Sequence, residues 1–466
     1  MSTNTIDSIV SFRNSQGDKA SGTLRGVSRQ SVSLEVYNPH SVAQLSEMLS
    51  ELTIRRQGRV VYQGSAVVTT LINTGIYLVM SATLTEPWKD LNNLVGDKKL
   101  MRSEVTSFLE DLGHYTNIHP KFELNVNRMR THLSELSRWL QQVDVMMDGG
   151  AASNKDLEME LLDQIAEPII PRMQGQLEEF EELAKEVDPE QVPIHSAFVQ
   201  RELHPLVMRS PFMHRVYTKP LGYAGDYEMV NMMLRNPSEG PNIYYKLVNR
   251  LFLLEGPSVA HKNRVEILHR KLESLADEAA KENRAIKILN LGCGPAVEIQ
   301  RLLRTRKMGE NIEITLLDFN DKTLAYTKAM MDKISKETKS TPTLIYEQRS
   351  VDQILRQSAR LSLEDSNKYD FIYCAGLFDY FSDRACSRVL KLFYKLVKPG
   401  GEVLSTNVHS DNPAIAAMEY LVEWYLVYRD EKQMADLVPE ISEKKVYCDD
   451  TGLNIFMEFW KTAEHG

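Results

Sequence analysis

The chain has 466 residues and a formal net charge of -9, with 42% hydrophobic and 26% charged residues. These values are those of an ordinary soluble protein with room for two or three domains. Because phosphate binding needs a basic surface, the acidic balance argues against a nucleic-acid partner. The N-terminus has no basic, apolar leader and no apolar run reaches the length of a membrane span, so we expect neither a signal peptide nor an integral membrane segment.

Four cysteines are scattered over the C-terminal half: Cys293, Cys374, Cys386 and Cys448. They are too few and too widely spaced for a disulfide framework or a CxxC metal site. We therefore expect a reducing, cytoplasmic location and no bound metal.

Residues 1–90 are predicted to form β structure. Residues 31–37 alternate polar and apolar side chains, as a half-buried strand does. A strand over 59–62 is expected to end at a Gln63-Gly64 turn, and two more strands are expected around an Asn73-Thr74-Gly75 turn. Short strands joined by close turns predict a small β-barrel.

The run GTLRGVSRQSVSLEVYNP resembles a PilZ barrel, a family that commonly binds cyclic di-GMP. The D/N-x-S-x-x-G turn of that family keeps only Ser28, because Gly26 and Ser31 occupy its other two positions. The arginine-rich lead-in is missing. The resemblance therefore implies a degenerate, PilZ-like barrel that does not bind the nucleotide by the usual route and instead docks a partner or forms a homodimer.

Residues 91–200 are predicted to be helical, because apolar residues recur three and four apart. The helices are expected over 103–119, over 132–147 and beyond 161, where Pro168 and Pro171 interrupt the pattern. We interpret this region as a linker or dimerisation region. Residues 201–240 combine polar aromatic side chains with glycine, as functional loops often do, and we interpret them as a lid segment over a substrate site. A plain interdomain linker is the alternative.

Residues 241–466 show a helix followed by alternating strands and helices, which predicts a doubly wound parallel sheet. The strand over 285–291 runs directly into the turn Gly292-Cys293-Gly294-Pro295-Ala296, and a helix follows. Glycines there allow a sharp turn and the close approach of a ligand. The carboxyl end of a parallel strand, facing a helix N-terminus, is the usual ligand crevice of such sheets. Taken alone, the turn fits a dinucleotide site or a tight connection equally well.

Three further features distinguish these possibilities. The G-x-G-x-A spacing lacks the third glycine of the pyrophosphate-binding fingerprint. A second strand over 314–318 ends in Asp318, 24 residues past Gly294, where a carboxylate can accept hydrogen bonds from both hydroxyls of a ribose. A further strand over 369–374 opens into a loop at Gly376.

Together, the motifs over 286–408 resemble class I S-adenosylmethionine-dependent methyltransferases, which are α/β doubly wound, Rossmann-like domains closed by an antiparallel hairpin. Residues 445–448 and 453–459 fit that hairpin. The resemblance implies S-adenosylmethionine as cofactor and S-adenosylhomocysteine as product, with the ribose on Asp318 and the adenine near Ser350. The residues expected at the donor site are Asn290, Gly292, Cys293, Gly294, Pro295, Asp318, Phe319, Ser350, Val351, Ala375, Gly376, Tyr223 and Asp226.

The runs KPLGYAGDYEMVN, GCGPAVE and AGLFDYFSD, with a predicted helix over 414–430, resemble bacterial synthases of fatty-acid methyl ester quorum signals. Those enzymes methylate the carboxylate of a 3-hydroxy fatty acid, so the resemblance implies carboxyl O-methylation of a small-molecule or acyl substrate. The residues expected at the acceptor or catalytic site are Tyr223, Asp379, Tyr380, His409, Tyr428 and Arg429.

Several alternatives stay open on the sequence alone. A carboxylate arrives ionised and needs no base, whereas His409 could serve a hydroxyl or amine acceptor. The helix over 414–430 could bind an anion through Arg429 or could simply cap the fold. The chain could also be a protein carboxyl methyltransferase, or a regulatory protein that binds the donor without turnover.

Overall fold

The computed structural model describes residues 8–28, 30–36, 43–56, 59–73, 78–86, 117–148, 155–306, 309, 311–358 and 368–462, together with positions 102, 105, 106 and 109. The chain divides into two compact units that are discontinuous in sequence. Unit 1 comprises Met1–Ala224, Arg235–Glu255 and Pro413–Tyr425, and unit 2 comprises Gly225–Leu234, Gly256–Asn412 and Leu426–Gly466. None of the helices within the described ranges is both long enough and apolar enough to span a membrane.

Unit 1 begins with a closed antiparallel barrel in the strand order β1-β2-β3-β6-β5-β4. Its strands are β1 Ser8–Arg13, β2 Lys19–Val27, β3 Ser31–Val36, β4 Met48–Arg56, β5 Arg59–Asn73 and β6 Leu78–Leu84. Alternation fixes the inward face, since Val32, Leu34 and Val36 of β3 are all buried in the barrel core. Removing side chains of this size from water contributes about 1.5–3 kcal/mol each. The predicted barrel is confirmed.

One boundary inside the barrel was predicted wrongly. No turn occurs at Gln63-Gly64; β5 continues through both residues and pairs with β4 across register shifts. A glycine in an extended strand is tolerated where the pairing is irregular, so it does not have to mark a turn. The predicted turn over 73–75 extends beyond the described residues.

The remainder of unit 1 is helical. Its helices include α1 Pro120–Asp148, α2 Lys155–Lys185, α3 Val192–Val207 and α4 Pro211–Thr218. Helix α2 runs unbroken through Pro168 and Pro171, contrary to the predicted interruption. The buried residues Ile165, Ile170 and Met173 around the prolines show that core packing holds the helix together across them. The helix predicted over 103–119 falls largely outside the described residues.

The segment predicted as an irregular loop, 201–240, is mostly helical. After α4 come α5 Tyr227–Leu234, in unit 2, and α6 Ile243–Leu253, in unit 1. Ser210 opens α4 by accepting a hydrogen bond from the Met213 N–H, and Asn242 does the same for α6 through the Tyr245 N–H. Ser210, a polar residue inside this segment, is therefore a helix cap, and Asn242 is another directly after it.

Unit 2 is built on a seven-stranded sheet in the order β12-β13-β11-β10-β7-β8-β9. Strands β7 to β11 are parallel, and β13 pairs antiparallel with both β11 and β12. The strands are β7 Ile286–Leu291, β8 Ile312–Asp318, β9 Thr343–Gln348, β10 Tyr369–Cys374, β11 Val397–Val408, β12 Lys444–Cys448 and β13 Asn454–Trp460. The predicted doubly wound sheet with a closing hairpin is confirmed.

Helices cover both faces of this sheet. They are α7 Gly256–Lys281, α8 Val297–Thr305, α9 Asp321–Thr338, α10 Val351–Ser358, α11 Asp383–Leu396 and α12 Glu431–Asp436. Two clusters of buried residues fill the space between helices and sheet, one around Ile299 and Leu316, the other around Ile372 and Phe393. Strands β7 and β10 lie at the centre of the sheet, so the loops that follow them meet at one edge.

Candidate active site

The glycine turn after β7 is held rigidly by backbone hydrogen bonds. The amides of Gly292 and Cys293 both donate to the Leu317 carbonyl, at 2.8 and 3.0 Å, and the Thr327 hydroxyl donates to the Gly294 carbonyl at 2.7 Å. Gly292 and Gly294 have φ of +69° and +52°, in the left-handed region that favours glycine. A β-carbon on Gly294 would meet nothing within 4 Å, so the turn leaves space for a ligand.

Asp318 lies directly beside this turn at the end of β8. Its two carboxylate oxygens accept hydrogen bonds from the amides of Gly294, at 3.1 Å, and Asn320, at 3.0 Å. A carboxylate has about four acceptor positions, so positions remain for two hydroxyls. Burial raises the pKa of Asp318 from 3.8 to about 6, which is the sign of a carboxylate held where water is scarce. These properties fit the vicinal hydroxyls of a ribose.

The next strand brings a third segment to the same edge. Gln348, the last residue of β9, pairs with Asp318, and the Arg349 amide donates to the Asp318 carbonyl. Ser350 follows and opens α10 with a reciprocal pair of hydrogen bonds to Gln353. Phe319 and Ser350 thus follow the ends of β8 and β9 at the edge of the sheet where Asp318 lies, and the predicted position of the adenine near Ser350 and Val351 stays a prediction.

The loop after β10 approaches the glycine turn from the other side. Cys374 and Leu291, the last residues of β10 and β7, are paired. The residues that follow them, Ala375 and Gly376 after β10 and Gly292 after β7, therefore lie at the same edge of the sheet. A β-carbon on Gly292 would lie 3.1 Å from the Leu377 side chain. The residues at 290–296, 318–319, 350–351 and 375–376 therefore share one edge of the sheet.

Gly376 is required for a close approach by Arg264, a residue of α7. It has φ of +85°, and a β-carbon there would lie 2.8 Å from both terminal nitrogens of the Arg264 guanidinium. We expect Gly376→Ala to lower the free energy of unfolding by about 1–3 kcal/mol from backbone strain alone, and further through this clash. Gly400→Ala is the matched control, because Gly400 has φ of +77° with nothing within 4 Å of the added carbon. Equal losses in urea unfolding would contradict the close approach.

Beneath the glycine turn lies a buried carboxylate that the sequence analysis missed. Glu298, in the first turn of α8, accepts hydrogen bonds from the Tyr373 hydroxyl at 2.7 Å and the Asn290 amide at 3.3 Å. Burial raises the pKa of Glu298. Asn290, which the sequence places at the donor site, donates its side-chain amide to this carboxylate, and its contact with the donor stays a prediction. The signal was the acidic residue at the start of the helix that follows the glycines, where a helix dipole favours negative charge.

The predicted acceptor residues Asp379 and Tyr380 lie in the short 3-10 turn Phe378–Tyr380 that follows Gly376. Asp379 is buried and accepts the Val408 N–H at 2.7 Å, and burial raises its pKa. The Tyr380 hydroxyl lies 2.6 Å from where a β-carbon of Gly225 would be, so α5 begins beside it.

Asp226 and Tyr223 are separated by the unit boundary. Asp226 caps α5 by accepting the amides of Glu228 and Met229, at 3.0 and 2.9 Å, through one carboxylate oxygen, and its predicted contact with the donor stays a prediction. Tyr223 belongs to unit 1.

His409 is engaged at both ring nitrogens. Nδ1 accepts the Asp411 N–H at 2.9 Å, so Nε2 carries the proton and donates it to Glu431 at 3.1 Å. Cys448 adds a third potential ligand, within 4.8 Å of the other two. In this arrangement the imidazole presents no lone pair to a metal ion or to a substrate proton.

The helix predicted over 414–430 is right only in its first part. Residues 415–422 are helical, with a π-helical turn over Ala417–Leu421, and residues 423–428 form no helix before the β-bridge between Arg429 and His409. Tyr428 lies half-buried in this non-helical part.

Arg429 is 1% exposed and its donors are used internally. They reach the carbonyls of Phe378, at 3.0 Å, and Phe381, at 2.7 Å, the amide oxygen of Asn407 and the carboxylate of Asp383. The guanidinium therefore braces the loop that follows β10 instead of presenting a fork to a substrate.

Comparison with known proteins agrees with this geometry. Residues 282–455 match the family model described as "Methyltransferase domain". The match and the sheet order define unit 2 as a Rossmann-like methyltransferase domain. The chain therefore carries an S-adenosylmethionine-dependent methyltransferase domain, with S-adenosylhomocysteine as the product of the donor.

Solved structures resemble the chain only distantly. A possible exported protein from Bordetella parapertussis is 13% identical, with 54% of this chain and 86% of that one covered and a TM-score of 0.41. Magnesium protoporphyrin IX methyltransferase from Synechocystis, with bound S-adenosylhomocysteine, is 10% identical, with 45% and 88% covered and a TM-score of 0.33. N-methyltransferase NodS from Bradyrhizobium japonicum is 14% identical, with 50% and 97% covered and a TM-score of 0.30. No curated protein matches the chain.

Proposed function

We propose that the chain transfers the methyl group of S-adenosylmethionine to a carboxylate oxygen of a small acid, with fatty acids as the first class to test. The observation that carries this proposal is the state of His409, whose two ring nitrogens are both occupied. A hydroxyl or protonated amine acceptor needs a base, whereas a carboxylate with a pKa near 4 to 5 arrives ionised. The similarity of several motifs to fatty-acid methyl ester synthases supports the same acceptor.

In this proposal the residues at the end of the sheet bind and align the reactants. Asp318 accepts hydrogen bonds from the ribose hydroxyls, the turn from Gly292 to Pro295 passes the methionine part, and Ser350 and Val351 lie by the adenine. The acceptor enters beside Gly376 and Tyr380. Its carboxylate oxygen attacks the methyl carbon in line with the breaking carbon–sulfur bond, so a carbon–oxygen bond forms and no proton moves.

A methyl ester has a chemical signature that tests this proposal. The protein is incubated with S-adenosylmethionine carrying a radioactive methyl group and with saturated acids of four to twelve carbons, and each acid is matched by the alcohol and amine of equal length. We expect label only with the acids, and we expect mild alkali to release it as volatile methanol. Alkali-stable label, or label from the alcohols or amines, would contradict carboxyl methylation.

The same assay separates the two remaining alternatives. If the label stays with macromolecules from a bacterial extract and is still released by alkali, the enzyme is a protein carboxyl methyltransferase. Donor binding without transfer to acids or proteins would indicate a regulatory protein.

A further inference from the structure

We propose that the guanidinium of Arg264 is the anion-binding group of this site and holds the carboxylate of a bound ligand. The inference rests on the proposed function, since two carboxylates meet in such a site: that of the methionine part of the donor and that of the acceptor. Both offer the same planar pair of oxygens, which a guanidinium binds through two parallel hydrogen bonds.

The guanidinium of Arg264 lies at the edge of the sheet where the loops that follow β7 and β10 meet. Both terminal nitrogens lie against Gly376, and a β-carbon on that glycine would come within 2.8 Å of each. Gly376 follows the strand beside the glycine turn, and Asp379 and Tyr380 follow it in the same loop. The guanidinium thus lies between the parts of the site assigned to donor and acceptor.

Arg264 lacks the partners that a guanidinium in such a place normally has. Among the described residues its only hydrogen bond joins Nη2 to His261 Nδ1 at 2.8 Å, and no carboxylate lies within 4.0 Å. Arg429 provides the contrast, because its carboxylate partner Asp383 lies 2.8 Å away and three further oxygens accept its remaining hydrogen bonds. Arg264 is partly exposed, and the charges of Asp379 and Glu298 act on it only from more than 4.0 Å, so a ligand carboxylate would supply the close charged partner that it lacks.

The nearest buried acids are already occupied by other donors. Asp379 accepts the Val408 amide, and Glu298 accepts the Tyr373 hydroxyl and the Asn290 amide. His261 is buried and its pKa lies well below the ordinary value because of burial, so it accepts from Arg264 as a neutral ring and orients it. The guanidinium is therefore fixed in direction while its other donors remain available.

Calorimetry with two ligands tests whether the donor supplies the carboxylate. S-adenosylhomocysteine carries the amino-acid part, and 5′-methylthioadenosine lacks it. If Arg264 holds the donor carboxylate, Arg264→Gln weakens S-adenosylhomocysteine binding about 10- to 100-fold and leaves 5′-methylthioadenosine within about threefold. Arg264→Lys keeps the positive charge but cannot form two parallel hydrogen bonds, so we expect its affinity for S-adenosylhomocysteine to lie between those of wild type and Arg264→Gln.

A second arm tests the acceptor, with octanoate and 1-octanol titrated into protein saturated with S-adenosylhomocysteine. If Arg264 holds the acceptor carboxylate, wild type prefers octanoate, Arg264→Gln abolishes that preference, and S-adenosylhomocysteine binding is unchanged. Arg270→Gln is the control, since Arg270 lies on the same helix and pairs at the surface with Glu266.

The proposal is overturned if Arg264→Gln still prefers S-adenosylhomocysteine over 5′-methylthioadenosine, and octanoate over 1-octanol, as strongly as wild type does. It is also overturned if the variant loses S-adenosylhomocysteine and 5′-methylthioadenosine equally, because Arg264 then only supports the pocket. Failure of the wild-type protein to bind S-adenosylhomocysteine would instead refute the proposed function itself.

Discussion

Asp318→Ala weakens the binding of S-adenosylhomocysteine by roughly 1.5–3 kcal/mol, about 10- to 100-fold, in calorimetry at neutral pH. The reason is the loss of a charged acceptor for the ribose hydroxyls, and hydrogen bonds to charged groups contribute on this scale. The same change removes the acceptor of the Gly294 amide and so loosens the glycine turn. Unchanged affinity would contradict the ribose assignment. Asp321→Ala is the matched control, because Asp321 is exposed in the first turn of α9.

The same carboxylate makes the ligand-free protein less stable as the pH rises. The pKa of Asp318 is raised by burial from 3.8 to about 6, so the protonated form is favoured in the folded state. The corresponding stabilisation, on the order of 3 kcal/mol, is present below pH 3.8 and is lost as the pH rises through about 6. Asp318→Asn should therefore gain stability relative to wild type between pH 4 and 7 in urea unfolding. A difference between the two proteins that does not change with pH would show that Asp318 ionises normally.

Arg429→Met should lower the free energy of unfolding by about 3–5 kcal/mol, the range for breaking a buried charged network. The substitution keeps the approximate length of the side chain but leaves the carbonyls of Phe378 and Phe381 and the amide oxygen of Asn407 without their donor. Arg388→Met, an exposed position on the neighbouring helix α11, should change the stability by less than about 0.5 kcal/mol.

This result would separate two roles for Arg429. A bracing residue lowers the urea midpoint and affects methyl transfer only through folding. A substrate-binding residue would leave the midpoint unchanged and raise the KM for the acid, as the sequence had suggested, and that outcome would contradict the bracing role.

The parts of the site that the sequence predicted depend on local patterns. A strand that runs into Gly292 and Gly294, and a second strand that ends in Asp318, both specify backbone geometry within a few residues. Parallel pairing then brings the strand ends together at one edge. The meeting of these strand ends at one edge could therefore be predicted from spacing, whereas the binding of the donor there is implied by the family resemblance and stays a prediction.

The errors arise where distant residues decide the local structure. The spacing of apolar residues over 414–430 suits a helix, yet the helix ends at Val422, where the carbonyls of Leu421 and Val422 accept hydrogen bonds from the side chains of His204 and Lys219. Both side chains lie about two hundred residues earlier in the chain, so no window of sequence contains these interactions.

Arg264 could have been found from helical periodicity. It lies four residues from both Ala260 and Leu268, which are buried in α7, so the pattern puts a charged residue on an apolar face. The pattern does not show that the Arg264 guanidinium lies against Gly376, because that residue comes more than a hundred positions later in the chain. The PilZ-like character of the barrel and the likeness to quorum-signal synthases stay predictions.

The most direct test is where the methyl donor binds, and a crystal structure with S-adenosylhomocysteine measures this. We predict both ribose hydroxyls within hydrogen-bonding distance of the Asp318 carboxylate, and the amino-acid part over the turn from Gly292 to Gly294. A nucleoside bound away from Asp318, or reversed along the sheet edge so that the adenine faces Gly376, would contradict the account.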